Sequence, residues 1–266
     1  MAESEIYLLL YGVVVGLIAG GVAGTLAGLA GIGGGLVYVP VFYFTMPGEQ
    51  ENMSVHVLAS LVAVVLTGFF SARAHWKLNN IDLVHFGKLM PGLIVGAGVG
   101  LWMTLRIPEA VLLFSMASLD AWIAIDYGKT IKVRPGNEKS LMLLSGPIGL
   151  ISGVLGIGGG TMLVPLMRRV GALRVAVGTS ALCGVVMALG AVSLNLGLDR
   201  QWLGLLSESA WFLLGAWGGV LLVLPFVSGF AAKLHRALPE ERMRRVFRGL
   251  FLLISAILFM AAAWSS

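Results

Sequence analysis

The chain has 266 residues, of which 58% are apolar and only 12% charged, and its mean hydropathy is +0.93. Soluble domains do not carry that balance, so the sequence reads as a polytopic integral membrane protein in contact with the lipid bilayer. The net charge of +5 comes from basic residues placed in short loops, which excludes a nucleic-acid footprint; the single cysteine, Cys183, excludes an intrachain disulfide framework.

The N-terminus carries Glu3 and Glu5 and no basic stretch. The first apolar run, Ile6 to about Ala30, therefore reads as a retained membrane helix rather than a cleaved signal. Gly12, Gly16, Gly20, Gly24 and Gly28 recur every fourth residue along it. That spacing lays one bare stripe on a helix, against which a neighbouring backbone can pack closely.

Gly31-Ile32-Gly33-Gly34-Gly35-Leu36-Val37-Tyr38-Val39-Pro40 follows, and it returns later as Gly156-Ile157-Gly158-Gly159-Gly160-Thr161-Met162-Leu163-Val164-Pro165. Three consecutive glycines cost about 1 kcal/mol each in a helix relative to alanine. Each copy reads as a helix stop, a flexible turn and a restart. The restart falls near Leu36 and Thr161, or alternatively at Pro40 and Pro165 as first helical residues.

After the first turn, Leu36–Met46 is too short to span, and the loop 47–52 is acidic. Further runs are expected at Met53 to about Ala72, Phe86 to Leu105 with a second stripe at Gly92, Gly96 and Gly100, and Ala110 to Tyr127. The second half repeats the order: Leu141–Gly156, the glycine turn, a short return Thr161–Met167, then spans at about 175–196, 205–227 and 246–264.

Basic loops mark the cytoplasmic face. Those at 73–88, 128–139, 168–174 and 233–248 are assigned inside, and both termini outside. This places the first glycine hairpin and the second in opposite orientation. The expectation is an all-α membrane fold of two inverted-topology repeats, residues 1–134 and 135–266, each a glycine-broken hairpin plus three transmembrane helices. Broken helices in matching positions of inverted repeats point to a transporter site near the midplane. Helix starts meeting there would offer backbone N–H groups and partial positive charge to an anion.

The soluble alternatives fail on the same residues. Leu36 stands where a dinucleotide fingerprint needs glycine, and neither turn is followed by the Lys-Ser/Thr of a phosphate loop. The four histidines lack metal-ligand spacing, no nucleophile–base pair is evident, and no cofactor is implied.

Polar residues within spans are few. Ser60, Thr179 and Ser180 each follow their glycine motif at nearly the same distance, which makes them candidates for substrate contact or, equally, for helix–helix hydrogen bonds. Asp120 falls roughly 16 Å into its span, counting 1.5 Å per residue from Glu109. A carboxylate at that depth is a candidate for proton coupling or a structural, hydrogen-bonded group. Asp126 and Glu208 read as solvated interfacial acids, and Arg168, Arg169 and Arg174 as topology signals or as collectors of cytoplasmic anions.

The paired G-x-G-G-G-x-x-x-V-P segments resemble those of the sulfite exporter TauE/SafE family, also called the four-toluene-sulfonate uptake permease family. The resemblance runs the length of the chain, one motif opening each half. Ala59-Ser60 loosely, and Gly178-Thr179-Ser180 closely, resemble the small-hydroxyl segment that follows in each half of that family. The halves depart from each other in having Ala59 opposite Thr179.

By resemblance, members move sulfur-containing anions across bacterial plasma membranes. The expected protein is then a non-enzymatic secondary transporter of the bacterial inner membrane that exports sulfite, sulfoacetate or another organosulfonate. Expected substrate-binding residues are Gly33, Gly34, Gly35, Ser60, Gly158, Gly159, Gly160, Thr161, Thr179 and Ser180, with Asp120 for proton coupling. Import, a different small anion, a substrate-free scaffold and a homo-oligomer remain open at this level.

Overall fold

The computed structural model describes residues 3–31, 34–47, 53–127, 138–169, 171–198, 207, 209–237 and 240–264. The first half holds α1 (Glu3–Ala30), α2 (Gly35–Thr45), α3 (Met53–Lys77), α4 (Leu83–Thr104) and α5 (Glu109–Tyr127). The second holds α6 (Glu138–Leu155), α7 (Gly160–Met167), α8 (Leu173–Leu198), α9 (Ala210–Ala237) and α10 (Glu240–Trp264). There is no strand among the described residues. Gly33, Glu208 and most of the loops expected at 47–52, 128–139 and 198–202 lie outside the described residues.

Five helices, α1, α3, α4, α8 and α9, are long and apolar enough to cross a membrane. Several run further than their apolar runs. The α3 helix continues through Arg73, His75 and Lys77, which the loop charge pattern alone assigns to a connection. Long basic side chains near a helix end can reach the interface while the backbone remains helical. The α4 helix starts at Leu83 because Asp82 caps it, its carboxylate accepting from the N–H groups of Val84 and His85. The basic connector expected at 233–248 is likewise helical up to Ala237 and again from Glu240.

Both glycine stripes pack as their spacing predicts. A Cβ on Gly12 would stand 2.2 Å from the Phe212 carbonyl, and one on Gly16 2.0 Å from that of Ala216. Gly20 and Gly24 meet Val220 and Leu224, so α1 and α9 run side by side in the same direction. The second stripe does the same for α4 and α6, where Gly92, Gly96 and Gly100 meet Ser145, Gly146 and Leu150 in turn. Such approaches leave no room for any larger residue and give close van der Waals packing where lipid supplies no hydrophobic drive.

The direction of the other contacts follows from their register. Ile94 lies against Gly190, and the Asn195 amide donates to the Gly98 carbonyl (3.1 Å), so α4 and α8 are parallel. The short connection Leu78–Asp82 turns the chain between α3 and α4, which sets α3 against α8. Phe114 meets Phe259 and Ser255 donates to the Ala117 carbonyl, so α5 and α10 are antiparallel.

The most extensive packed pairs survive an exchange of the halves. α1 on α9 corresponds to α6 on α4, α2 on α3 to α7 on α8, and α3 on α9 to α8 on α4, while α3·α8 and α5·α10 map onto themselves. The α3·α8 pair forms the centre, flanked by the buried rings of Tyr38, Phe42 and Phe212. Tyr7, Leu10, Val14 and Ile18 line an exposed apolar face of α1, as a lipid-facing helix requires.

Candidate functional site

The two glycine segments break their helices where the sequence places them. The short returns begin at Gly35 and Gly160 rather than at the prolines, with Gly34 and Gly159 as N-caps. Pro40 and Pro165 sit inside the helices, where a proline removes the bond to the carbonyl four residues back. The turns depend on left-handed backbone at Gly31 (φ 67°), Gly34 (φ 83°), Gly156 (φ 66°) and Gly158 (φ 70°), a region glycine enters without a Cβ clash.

The two corners touch. A Cβ on Gly35 would lie 2.3 Å from the Cα of Ile157, so the start of α2 rests on the second turn. Gly31 packs on Val177 near the start of α8, and Gly156 packs on Val57 near the start of α3. Gly158 faces Val64, which stands roughly 16 Å along α3 at 1.5 Å per residue from Met53. Gly159 faces Met187, and Gly184 approaches the Gly160 nitrogen, both on the middle of α8. The described corner residues from Gly34 to Pro40 and from Gly156 to Gly160 are all buried.

Among the described residues, the amides of Gly158, Gly159 and Gly160 donate to no acceptor, whereas Thr161 and Leu163 bond to the carbonyls of Gly158 and Gly159. These three N–H groups stand at a buried helix start beside the middles of α3 and α8. A negatively charged group there would meet them together with the positive end of the α7 dipole.

Of the candidate hydroxyls, Ser60 ties a corner to a central helix, Thr161 bonds within its own corner, and Thr179 and Ser180 bond away from the glycine turns. Ser60 donates to the Gly156 carbonyl (2.8 Å), and Thr161 donates to Ile157 (3.2 Å) and Gly158 (3.0 Å). Thr179 accepts from the Asp82 N–H (2.9 Å), and Ser180 lies 3.6 Å from the Met167 sulfur. Further residues not singled out from sequence share this work. Ser71 donates to Ala27 and the His75 ring bonds Gly28, satisfying carbonyls at the end of α1. Thr104 does the same for Val154 at the end of α6. Helix ends leave carbonyls without intrahelical partners, and a broken helix inside a membrane must find them elsewhere. Tyr38 and Thr67 bond each other beside the first corner.

The carboxylates divide sharply. Asp120 is fully buried, and neither of its oxygens has a hydrogen-bond partner among the described residues. Asp126, expected to be solvated, is buried instead. Its Oδ2 and its carbonyl each accept from Arg168 at 2.6 Å, and its Oδ1 accepts from Arg169 at 3.0 Å. Arg168 is itself only 6% exposed, so this pair fastens the end of α7 to the end of α5 rather than presenting a free cation. The sequence did place both partners on one face, and that opposition of charge was the available signal. At the other end of α5, Tyr43 of α2 donates to Glu109 (2.7 Å). No group of three or more potential metal ligands occurs among the described residues.

Comparison with known proteins places these features in a wider set. The family model described as Sulfite exporter TauE/SafE matches residues 16–258. A Haemophilus influenzae protein named "Probable membrane transporter protein" is 31% identical over 259 aligned residues, covering 86% of this chain and 91% of its own. A Bacillus subtilis protein, "Probable membrane transporter protein YunE", is 26% identical over 227, covering 69% and 79%. No solved structure gives a significant match.

Proposed function

Since the chain belongs to the sulfite exporter TauE/SafE family and is a multi-pass membrane transporter, we propose that it exports a small sulfur-containing oxyanion by alternating access. Sulfite, sulfoacetate and other organosulfonates are the substrate class. The observation that carries this reading is the contact of the two glycine corners between the midpoints of α3 and α8, with three amides at the start of α7 that donate to no acceptor among the described residues. An oxyanion can be held by such donors without a permanent cation, so it can also be released.

The two halves, 1–134 and 135–266, act in this reading as inverted repeats. The interchangeable packing pairs and the opposed direction of α3 and α8 support that arrangement. Rocking one repeat against the other would expose the corners to each face in turn. In this reading the membrane is a bacterial plasma membrane, the cytoplasm lies at the end of α3 and α9, and both termini are outside; the basic loops support that orientation.

Gly33–Gly35 and Gly158–Gly160 are the substrate donors in this reading. Ser60 and Thr161 hold the second corner in place, and in this reading they and Thr179 and Ser180 come within reach of the anion when the corners part. Asp120 is the group we assign to proton uptake, because a buried carboxylate with no hydrogen-bond partner among the described residues is costly while charged.

Purified protein in liposomes provides the test. Outward gradients of sulfite or sulfoacetate should produce flux, and chloride at equal concentration should not. No flux for any sulfur oxyanion under either membrane polarity contradicts the proposal. With Asp120→Asn, flux should persist but lose its response to an imposed pH gradient; an unchanged response removes Asp120 from the mechanism.

A further inference from the structure

A cavity of about 430 Å³ opens between the last turns of α3 and the C-terminal half of α9. Phe70, Arg73 and Lys77 form one wall at helical spacing, and Ser228 and Lys233 form part of the other. None of these residues belongs to a glycine corner. Arg73, Lys77 and Lys233 are exposed and make no ion pair among the described residues, so three positive charges line one space. Ser228 is 1% exposed, and its hydroxyl has no hydrogen-bond partner among the described residues. Three cations lining one space between two packed helices form a receptacle for negative charge.

The surroundings suit a ligand with an apolar tail. Phe226 and Phe230, 77% and 68% exposed, stand on α9 one turn apart and turn outward from the same region, and Trp76 is exposed on α3. Aromatic side chains at the membrane interface beside basic ones are a common setting for lipid headgroups.

We propose that this cavity binds one phosphate-type oxyanion group, carried on a membrane lipid or free in solution. The charges fix the shared chemistry, and the exposed rings favour the lipid as its source.

Delipidated full-length protein in neutral detergent can be titrated in parallel with dioleoyl phosphatidylglycerol, dioleoyl phosphatidylcholine and inorganic phosphate. Bound lipid is counted by native mass spectrometry, and phosphate binding is read from the unfolding temperature. One phosphatidylglycerol per chain should bind in preference to phosphatidylcholine. The triple variant Arg73→Gln, Lys77→Gln, Lys233→Gln should weaken it roughly a hundredfold, at about fivefold per basic side chain near an anionic headgroup. Ala74→Trp, which fills the cavity and retains every charge, should weaken it to a similar extent.

Protection by inorganic phosphate alone, lost in the same variants, assigns the site to a soluble anion and upholds it in that form. Phosphatidylglycerol binding that equals phosphatidylcholine, with no response to phosphate, overturns the proposal. So does a loss confined to the triple variant while Ala74→Trp binds normally, because diffuse surface charge then accounts for the effect.

Discussion

The two hairpins share a ten-residue motif but use it differently. Among the described residues the left-handed ones are Gly31 and Gly34 in α1–α2 and Gly156 and Gly158 in α6–α7, and Gly159, the counterpart of Gly34, has an ordinary helical φ of −57°. The middle glycine of the first triplet is jammed, a Cβ there standing 2.8 Å from that of Ala23. Its counterpart Gly159 faces the flexible sulfur of Met187 at 3.0 Å. The far ends differ as well. α2 is tied to α5 by a tyrosine hydroxyl on Glu109, whereas α7 is tied to it by two arginines on Asp126. Identical triplets thus place one middle glycine where no side chain fits and one beside a neighbour that can yield, and each short helix is strapped to an opposite end of α5 by a bond of different strength.

The sharpest way to break this contrast is to load the two middle glycines equally. Gly34→Val forces a β-branched residue into left-handed backbone and overfills its site, a destabilisation of about 3–5 kcal/mol by combining backbone strain with overpacking. Gly159→Ala, with normal φ and a movable neighbour, should cost about 1 kcal/mol or less. Thermal unfolding in detergent compares them, and equal losses would erase the distinction.

The two straps come next. Asp126→Ala strands Arg168 in a buried position and should cost about 3–5 kcal/mol, much of it recovered in an Asp126→Leu, Arg168→Met double variant. Tyr43→Phe removes one hydrogen bond to a carboxylate and should cost about 1.5–3 kcal/mol. If Tyr43→Phe proves the worse of the two, the strong and weak ends have been misassigned. Ser60→Ala, which strips one donor from the Gly156 carbonyl, should cost about 1 kcal/mol with no change in secondary structure.

The smallest effect concerns the α4 cap. Burial pushes the Asp82 carboxyl up, but hydrogen bonds from His85 and Val84 and the charge of His85 outweigh it and hold the group below the ordinary carboxylate value. A depressed carboxylate contributes stability above its unfolded pKa and loses it as pH falls through the folded one. Unfolding temperature should therefore fall slightly less on acidification in Asp82→Asn than in the parent protein.

Much of this was legible in advance because glycine spacing carries geometry. A four-residue repeat of bare positions dictates a close helix crossing, and both stripes made one. A glycine triplet followed by Val-Pro dictates a break, and both breaks occurred there. What glycine cannot carry is the sign of φ, since it occupies either region freely, so the different shapes of the two turns were not readable. Helix ends were underestimated at Lys77 and Leu83 because hydropathy ends before the backbone does. The partners of Ser71, His75 and Thr104 were hidden for another reason. They bond carbonyls in helix ends more than forty residues away, and a carbonyl leaves no mark in sequence. Asp126 read as solvated because local sequence shows an acid at an apolar helix end but not the arginines folded over it.

The claim on which the account rests is that the corner amides receive the anion, and Gly159→Ala tests it with the least disturbance to the fold. Efflux of sulfite and sulfoacetate should be measured from liposomes holding equal amounts of parent and variant protein, matched in unfolding temperature. The account predicts a variant that folds normally and loses at least about tenfold in flux, as a methyl group displaces an oxyanion worth some 1.4 kcal/mol of binding or more. Parent-level flux from the properly folded variant would contradict it.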